Sequence, residues 1–185
     1  MLSESEKRRA KELALLSIKF EFEQDENMLK KIKEIEDELN RYAAGVFVTL
    51  KINKQLRGCI GFPVKKPLGK AIKEAAKLSA FHDPRFFPLT KDELKDIEIE
   101  ITLLSKPKEI KNKEIKNIIK EIEIGKHGLM IRSNYGSGLL LPQVALEYKL
   151  DQIEFIEATC IKSGLSKNAW LNKDVKVYKF EGIWF

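Results

Sequence analysis

Histidine and cysteine are scarce in this chain, with two of each among 185 residues. Cys59 and Cys160 lie far apart, as do His82 and His127, and there is no C-x-x-C pair. No metal-ligand spacing results, so neither a metal nor a cofactor is expected. Two cysteines make no disulfide framework and suit a reducing, cytoplasmic setting, although a single bridge between them stays open. Long apolar runs are missing too. The longest, GLLLPQVAL, holds a proline and falls well short of the roughly 20 residues of a membrane span. The first residues, MLSESEKRRAKEL, are charged and lack the apolar core of a secretory signal. Neither G-x-G-x-x-G nor G-x-x-x-x-G-K-[ST] occurs, which excludes those two phosphate-binding loops.

What is present describes a soluble globular protein, 43% hydrophobic and 34% charged, long enough for one domain or two small lobes. The net charge of +6 is unevenly spread. Residues 51–77 hold eight basic residues (Lys51, Lys54, Arg57, Lys65, Lys66, Lys70, Lys73 and Lys77) and one acid, Glu74, a local charge of +7. Such an excess attracts anions, unless the lysines are simply a solvated surface.

Periodicity outlines the elements. Ser3-x-x-Glu6 is a capping box ahead of a helix carrying Ala10, Leu13, Ser17 and Phe20. A second helix follows with Met28, Ile32, Ile35 and Leu39 on one stripe. Val46, Val48, Leu50 and Ile52 alternate as a strand, Asn53 and Lys54 form a tight turn, and LRGCIGF returns. Pro67 opens a helix with Leu68, Ile72, Ala75, Ala76 and Ser79 inward. Asp83, placed before Pro84, ends it. Thr90-x-x-Glu93 is a second capping box, and IEIEITLL is a strand with one wet face. Residues 109–125 read as a helix entering a strand. GLMIRSNYGSGLLL reads as a hairpin, LPQVALEY and QIEFIEATCIKSGL as helices, and VKVYKFEGIWF as a closing strand. Each half runs hairpin, helix, strand, which suggests a duplication. The fold class is α+β, a mainly antiparallel sheet with flanking helices in two lobes.

LRGCIGF spends two of seven positions on glycine, which weakens a strand. Strict alternation puts Arg57, Cys59 and Gly61 on one face, so the Arg57 guanidinium would favour a Cys59 thiolate and Gly61 would leave space beside the sulfur. A ligand, a water or another backbone must fill that space. Cys59 is therefore the candidate nucleophile, with Arg57, Gly58, Gly61, Arg85 and Lys70 as ligand-binding residues. Cys59 reads equally as a small buried hydrophobe, with the glycines admitting the following helix. In FHDPRFFP, His82 is the candidate base for Cys59. The alternative there is a structural knot, with Asp83 capping a turn, Arg85 paired to Asp83 or Glu93, and the phenylalanines in the core. His127, in GKHGL, is a polar turn residue.

GVFVTLKINKQLRGCIGF, AFHDPRFFPLTKDEL, EIEITLLSKPKEI, GLLLPQVALE and FIEATCIKSGL together resemble the AMMECR-type domain family, over nearly the whole chain from about residue 13. The hexapeptide LRGCIG is the most specific mark. The resemblance implies a single domain over residues 1–185 in two lobes, one from about 1–55 with 125–185 and the other from about 56–124. It implies a cleft exposing residues 56–61, and it implies no reaction. It also implies association with Memo-type, dioxygenase-like proteins and with radical S-adenosylmethionine proteins. Three positions depart from the family pattern: Ser163 before Gly164, His127 where an acid is common, and EYKLD without an expected tryptophan.

Three functions follow from these readings. The first is an enzyme or enzyme subunit acting on a small anionic substrate, with Arg57 and nearby lysines as the anion site. The second is a nucleic-acid-binding module along the lysines, disfavoured because Phe62 is the only aromatic residue in 51–77. The third is an adaptor whose basic segment docks a Memo-type partner.

Overall fold

The computed structural model describes residues 2–111 and 114–185. Its contacts divide the chain into two compact units, Met1–Leu104 with Trp184–Phe185, and Ser105–Ile183. These are not the lobes suggested above, which separated residues 1–55 from 56–124. The physical reason is the hairpin: the LRGCIG strand is hydrogen-bonded to the strand before it, so no boundary can fall between them.

The first unit opens with α1 (Glu4–Glu23) and α2 (Glu26–Leu39). The Ser3 hydroxyl accepts from the Glu6 N–H while the Glu6 carboxylate accepts from the Ser3 N–H, the reciprocal box expected. Strand β1 (Ala43–Ile52) turns at Asn53 and Lys54, whose φ values of 50° and 64° suit a two-residue hairpin, into β2 (Gln55–Pro67). Helix α3 (Leu68–Phe81) and β3 (Ile97–Leu104) complete the unit. Pro67 ends β2 and caps α3 from outside rather than opening its first turn.

β1 is the central strand, antiparallel to β2 and β3. Val46, Val48 and Leu50 face Phe62, Ile60 and Gly58 on one side and Leu103, Ile101 and Ile99 on the other. On this face sit the fully buried Leu13, Ala14 and Ile18 of α1 and Ala71, Ile72, Ala75 and Ala76 of α3. Burying one such leucine or isoleucine contributes about 1.5–3 kcal/mol. The small alanines let α3 lie close to the sheet. The opposite face of the sheet carries Phe47, Thr49 and Lys51, flanked in register by Gly61 and Cys59 and by Thr102, Glu100 and Glu98.

The second unit contains β4 (Lys108–Glu109), α4 (Ile115–Glu121), β5 (His127–Arg132), β6 (Ser137–Leu140), α5 (Pro142–Glu147), α6 (Gln152–Lys162) and β7 (Lys176–Trp184). Residues 112–113 of the expected 109–125 helix lie outside the described residues. No strand follows α4 directly: a turn intervenes and β5 begins at His127. β5 is central, antiparallel to β6 and β7, over a core of Phe155, Ile156, Cys160 and Val177. The duplicated order is therefore real at the level of topology. In each unit the middle strand pairs with its hairpin partner on one side and with the strand after the helix on the other.

Candidate functional site

LRGCIG and HDPRFFP, separate in sequence, meet in the first unit. Asp83 follows α3 and is only 4% exposed. Its carboxylate accepts from the Cys59 N–H at 2.8 Å, from the Arg85 N–H at 3.1 Å, and from Arg85 Nε and Nη2 at 2.9 and 2.7 Å. Burial alone would raise the Asp83 pKa. The Arg85 side chain and the Cys59 and Arg85 N–H groups outweigh it and hold the pKa at about 2. One turn earlier on α3, the Ser79 hydroxyl accepts from the Ile60 N–H and donates to the Val48 carbonyl, both at 2.8 Å. Ile60 is the register partner of Val48, so Ser79 bridges β1 and β2 there, while Asp83 takes the N–H of the next residue, Cys59, on the outer side of β2.

The two glycines are explained by close approach. A Cβ at Gly58 would overlap the carbonyl of Ser79, and one at Gly61 would overlap the Val46 carbonyl and Phe47. The space expected beside the sulfur at Gly61 is therefore occupied by β1 and the Phe47 ring. Gly58 and Gly61 thus allow close packing against α3 and β1.

Arg57 departs from simple alternation. Leu50 pairs with Gly58 but Lys51 pairs with Leu56, so β2 holds one extra residue, a β-bulge, at Arg57. The guanidinium binds Glu93 through two contacts, Nε to Oε1 at 2.7 Å and Nη2 to Oε2 at 3.1 Å, with Nη2 also 3.4 Å from the Pro88 carbonyl. It lies 5.9 Å from the Phe86 ring centroid. Glu93 also accepts from the Thr90 N–H and hydroxyl. Arg57, through its side-chain hydrogen bonds, and Thr90 together lower the Glu93 pKa to about 2 against the opposing effect of burial. Arg57 Nη1 is buried and has no hydrogen-bond partner among the described residues.

The thiol of Cys59 is not activated by Arg57. Burial pushes its pKa up, opposed by the Thr49 hydroxyl, which donates to Sγ at 3.2 Å, and by the charge of Arg85. Asp83 and Glu100 push it further up. The cation that acts on the sulfur is Arg85, whose Nη2 also reaches the Cys59 carbonyl at 3.2 Å.

His82 is exposed at the C-cap of α3, and no hydrogen bond joins it to Cys59 among the described residues. The nucleophile–base pairing of Cys59 and His82 is thus not assembled. Lys70 sits in the first turn of α3, about 14 Å along the helix axis from Ser79, and its N–H bonds the Asn40 side chain. It stands apart from the cluster. His127 accepts the Glu123 N–H on Nδ1 at 2.9 Å, as a turn residue does.

The basic segment is largely compensated by tertiary contacts. Lys51 pairs with Glu100, Arg57 with Glu93, Lys66 with Glu74, Lys73 with Glu36 and Lys77 with Glu21. Most of those acids come from outside residues 51–77, so the local excess read from sequence is not an unopposed positive field.

Thr49, as the partner of the sulfur, escaped sequence reasoning. So did Glu93 as the partner of Arg57, whose only signal was its place in the Thr90 box. Phe87, which the structural-knot alternative placed in the core with the other phenylalanines, is 89% exposed. Its loop is nonetheless held, with Phe86 N–H on the Asp83 carbonyl, Leu89 N–H on the Ala80 carbonyl, and Leu89 buried.

The two antiparallel units with packed helices define a mixed α+β protein. Within that class the chain belongs to the AMMECR1 family, whose model matches residues 11–185. Protein NEQ441 of Nanoarchaeum equitans is 44% identical over 151 residues, covering 80% of this chain and 83% of that one. A protein of Aquifex aeolicus is 48% identical over 141 residues, covering 75% of this chain and 72% of the other. The crystal structure of the uncharacterized protein PH0010 from Pyrococcus horikoshii superposes with a TM-score of 0.78 at 32% identity, covering 96% of this chain and 91% of that one. Among the described residues no helix is long and apolar enough to cross a membrane, and no group of three or more His, Cys, Asp or Glu is placed to hold a metal ion.

Proposed function

We propose that the protein is an adaptor that docks a protein partner through the loop of residues 83–90. The observation that carries this reading is Phe87, 89% exposed on a loop held by Asp83, by Leu89 and by the Arg57–Glu93 pair. A fixed, exposed aromatic ring loses little conformational freedom on binding and gains about 1.5–3 kcal/mol on burial. Arg85, with a side chain 41% exposed, stands two residues away. Aromatic and arginine anchors dominate binding energy at interfaces. The partner would offer an apolar pocket with a carboxylate at its rim. A Memo-type protein, suggested by the family resemblance, is the first to test. Calorimetric titration of such a protein should give saturable binding that Phe87→Ser weakens at least tenfold without lowering the melting temperature. Equal binding by the variant would overturn the reading.

One observation favours a second reading, a small anionic ligand at Arg57: its buried Nη1 has no hydrogen-bond partner among the described residues. Phosphate and small carboxylates would then raise the melting temperature of the native protein and not of Arg57→Lys. No shift with either protein counts against it.

A further inference from the structure

Arg132 of β5 has Lys176 of β7 as its register partner on one side and Ser137 of β6 on the other, and all three are exposed. Directly opposed residues of an antiparallel pair project from one face, with Cα atoms about 4.5–5.5 Å apart. The second unit thus carries a row of two cations and a hydroxyl across three adjacent strands. Like charges placed directly opposite destabilise a sheet. Acids are at hand to relieve them: Asp174 precedes Lys176 by two residues, and Glu109 is the register partner of Tyr178 in the next row. Neither cation forms an ion pair with these acids, or with any other among the described residues.

Arg132 is steadied without spending its hydrogen-bond donors. Its guanidinium lies 5.7 Å from the centroid of the Tyr178 ring, within cation–π range. Beyond Arg132 the chain turns and brings a second ring to the row. The Ser133 N–H and hydroxyl both donate to the Gly136 carbonyl at 3.0 Å, and that hydroxyl accepts from the Tyr135 and Gly136 N–H groups at 3.1 Å. A Cβ at Gly136 would overlap the Ser163 carbonyl, so the turn also lies against the end of α6. On this braced turn Tyr135 is 86% exposed. It follows Arg132 by three residues, so their Cα atoms are within about 10 Å.

We propose that this row is a binding site for single-stranded nucleic acid. Phosphates lie along Lys176, Arg132 and Ser137, and a base stacks on Tyr135. A cationic track beside an open aromatic ring suits such a ligand, because phosphate contacts are indifferent to sequence and every base has a π-face. Residues 51–77 lack that combination. Their cations are mostly paired, and Phe62, their one aromatic residue, already lies under Lys66 at 3.5 Å. An acidic protein would use the cations without requiring the ring. The row belongs to the second unit and the 83–90 loop to the first, so the two readings stand separately.

The test uses the full chain and a fluorescein-labelled dodecamer of uridylate, read by fluorescence anisotropy over a range of salt concentrations. Saturable binding that weakens with salt is expected. Arg132→Gln combined with Lys176→Gln removes two phosphate contacts and should lower the slope of log K against log salt by about 1.4. Tyr135→Ser should weaken binding about fivefold or more with the salt slope unchanged, as loss of a stacked base does. Lys70→Gln, a change to an exposed cation of the first unit, should alter neither. These positions are exposed, and unchanged melting temperatures confirm that each variant folds. The proposal is overturned by absence of saturable binding, by a parental salt slope in the double variant, or by parental affinity in Tyr135→Ser. Displacement of the oligonucleotide by a dodecamer of glutamate at equal concentration overturns it too, in favour of an acidic protein.

Discussion

Arg57 and Glu93, thirty-six residues apart, are joined by two parallel contacts of 2.7 and 3.1 Å. The pair fastens the bulge in β2 to the loop after α3. It makes the arginine of LRGCIG a strut through Nε and Nη2, with 15% of its side chain exposed. Glu93→Gln should therefore destabilise the protein, because it leaves a mostly buried guanidinium without its counter-charge. With Glu93 itself 29% exposed, a loss of about 2 kcal/mol is expected, below the 3–5 kcal/mol of a fully buried pair. Urea unfolding of the two single variants and of the double variant with Arg57→Met measures the coupling. Strict additivity would show that the pair carries no energy.

Cys59 should behave as a protected thiol. Its alkylation by iodoacetamide at pH 8 is expected to be more than tenfold slower in the native chain than in the unfolded chain, since burial suppresses the thiolate. Arg85→Gln should raise the thiol pKa further and Thr49→Val should do the same, because each now opposes the effect of burial. Native alkylation as fast as unfolded would contradict this arrangement.

Gly61→Ala should be poorly tolerated. The added methyl meets the Val46 carbonyl and Phe47, both within a hydrogen-bonded ladder that cannot retreat. Overpacking of this kind costs about 1–3 kcal/mol. A thermal melt would show it, and an unchanged melting temperature would mean that the hairpin accommodates the group.

Asp83 sets an acid limit. Its folded pKa, about 2, lies below the reference value of 3.8. The stability it contributes is fully present above the reference value and is lost as pH falls through the folded one. With allowance for solvent screening this amounts to about 1–2 kcal/mol. Asp83→Asn should flatten the fall in stability between about pH 4 and pH 2. Denaturant melts of the two proteins across that range would test it, parallel slopes being the contrary result.

Much of the fold is legible along the chain because its signals are local. The Ser3–Glu6 box, the Asn53–Lys54 turn, the alternation of Val46, Val48 and Leu50, and the alanine stripe of α3 each act within a few residues. The hairpin–helix–strand order of both units follows from such signals alone. The candidate site was legible in part. Asp83 capping its own turn and pairing with Arg85 needs only near neighbours. Cys59 and the 83–90 loop stand out by composition, but their contact at the Cys59 N–H is a product of the fold.

By itself the sequence determined most of the helices and strands and the apolar stripes by which they face inward. Tertiary structure decided what the charges without a partner nearby in the chain do and where each gap lies. A one-residue bulge turned Arg57 away from the sulfur toward Glu93, and β1 filled the space that Gly61 leaves. Distant acids neutralised lysines that look like a patch in one dimension. The reason is physical: a side chain's conformational preferences depend on its neighbours in the chain, whereas its electrostatic and packing partners depend on distance in space.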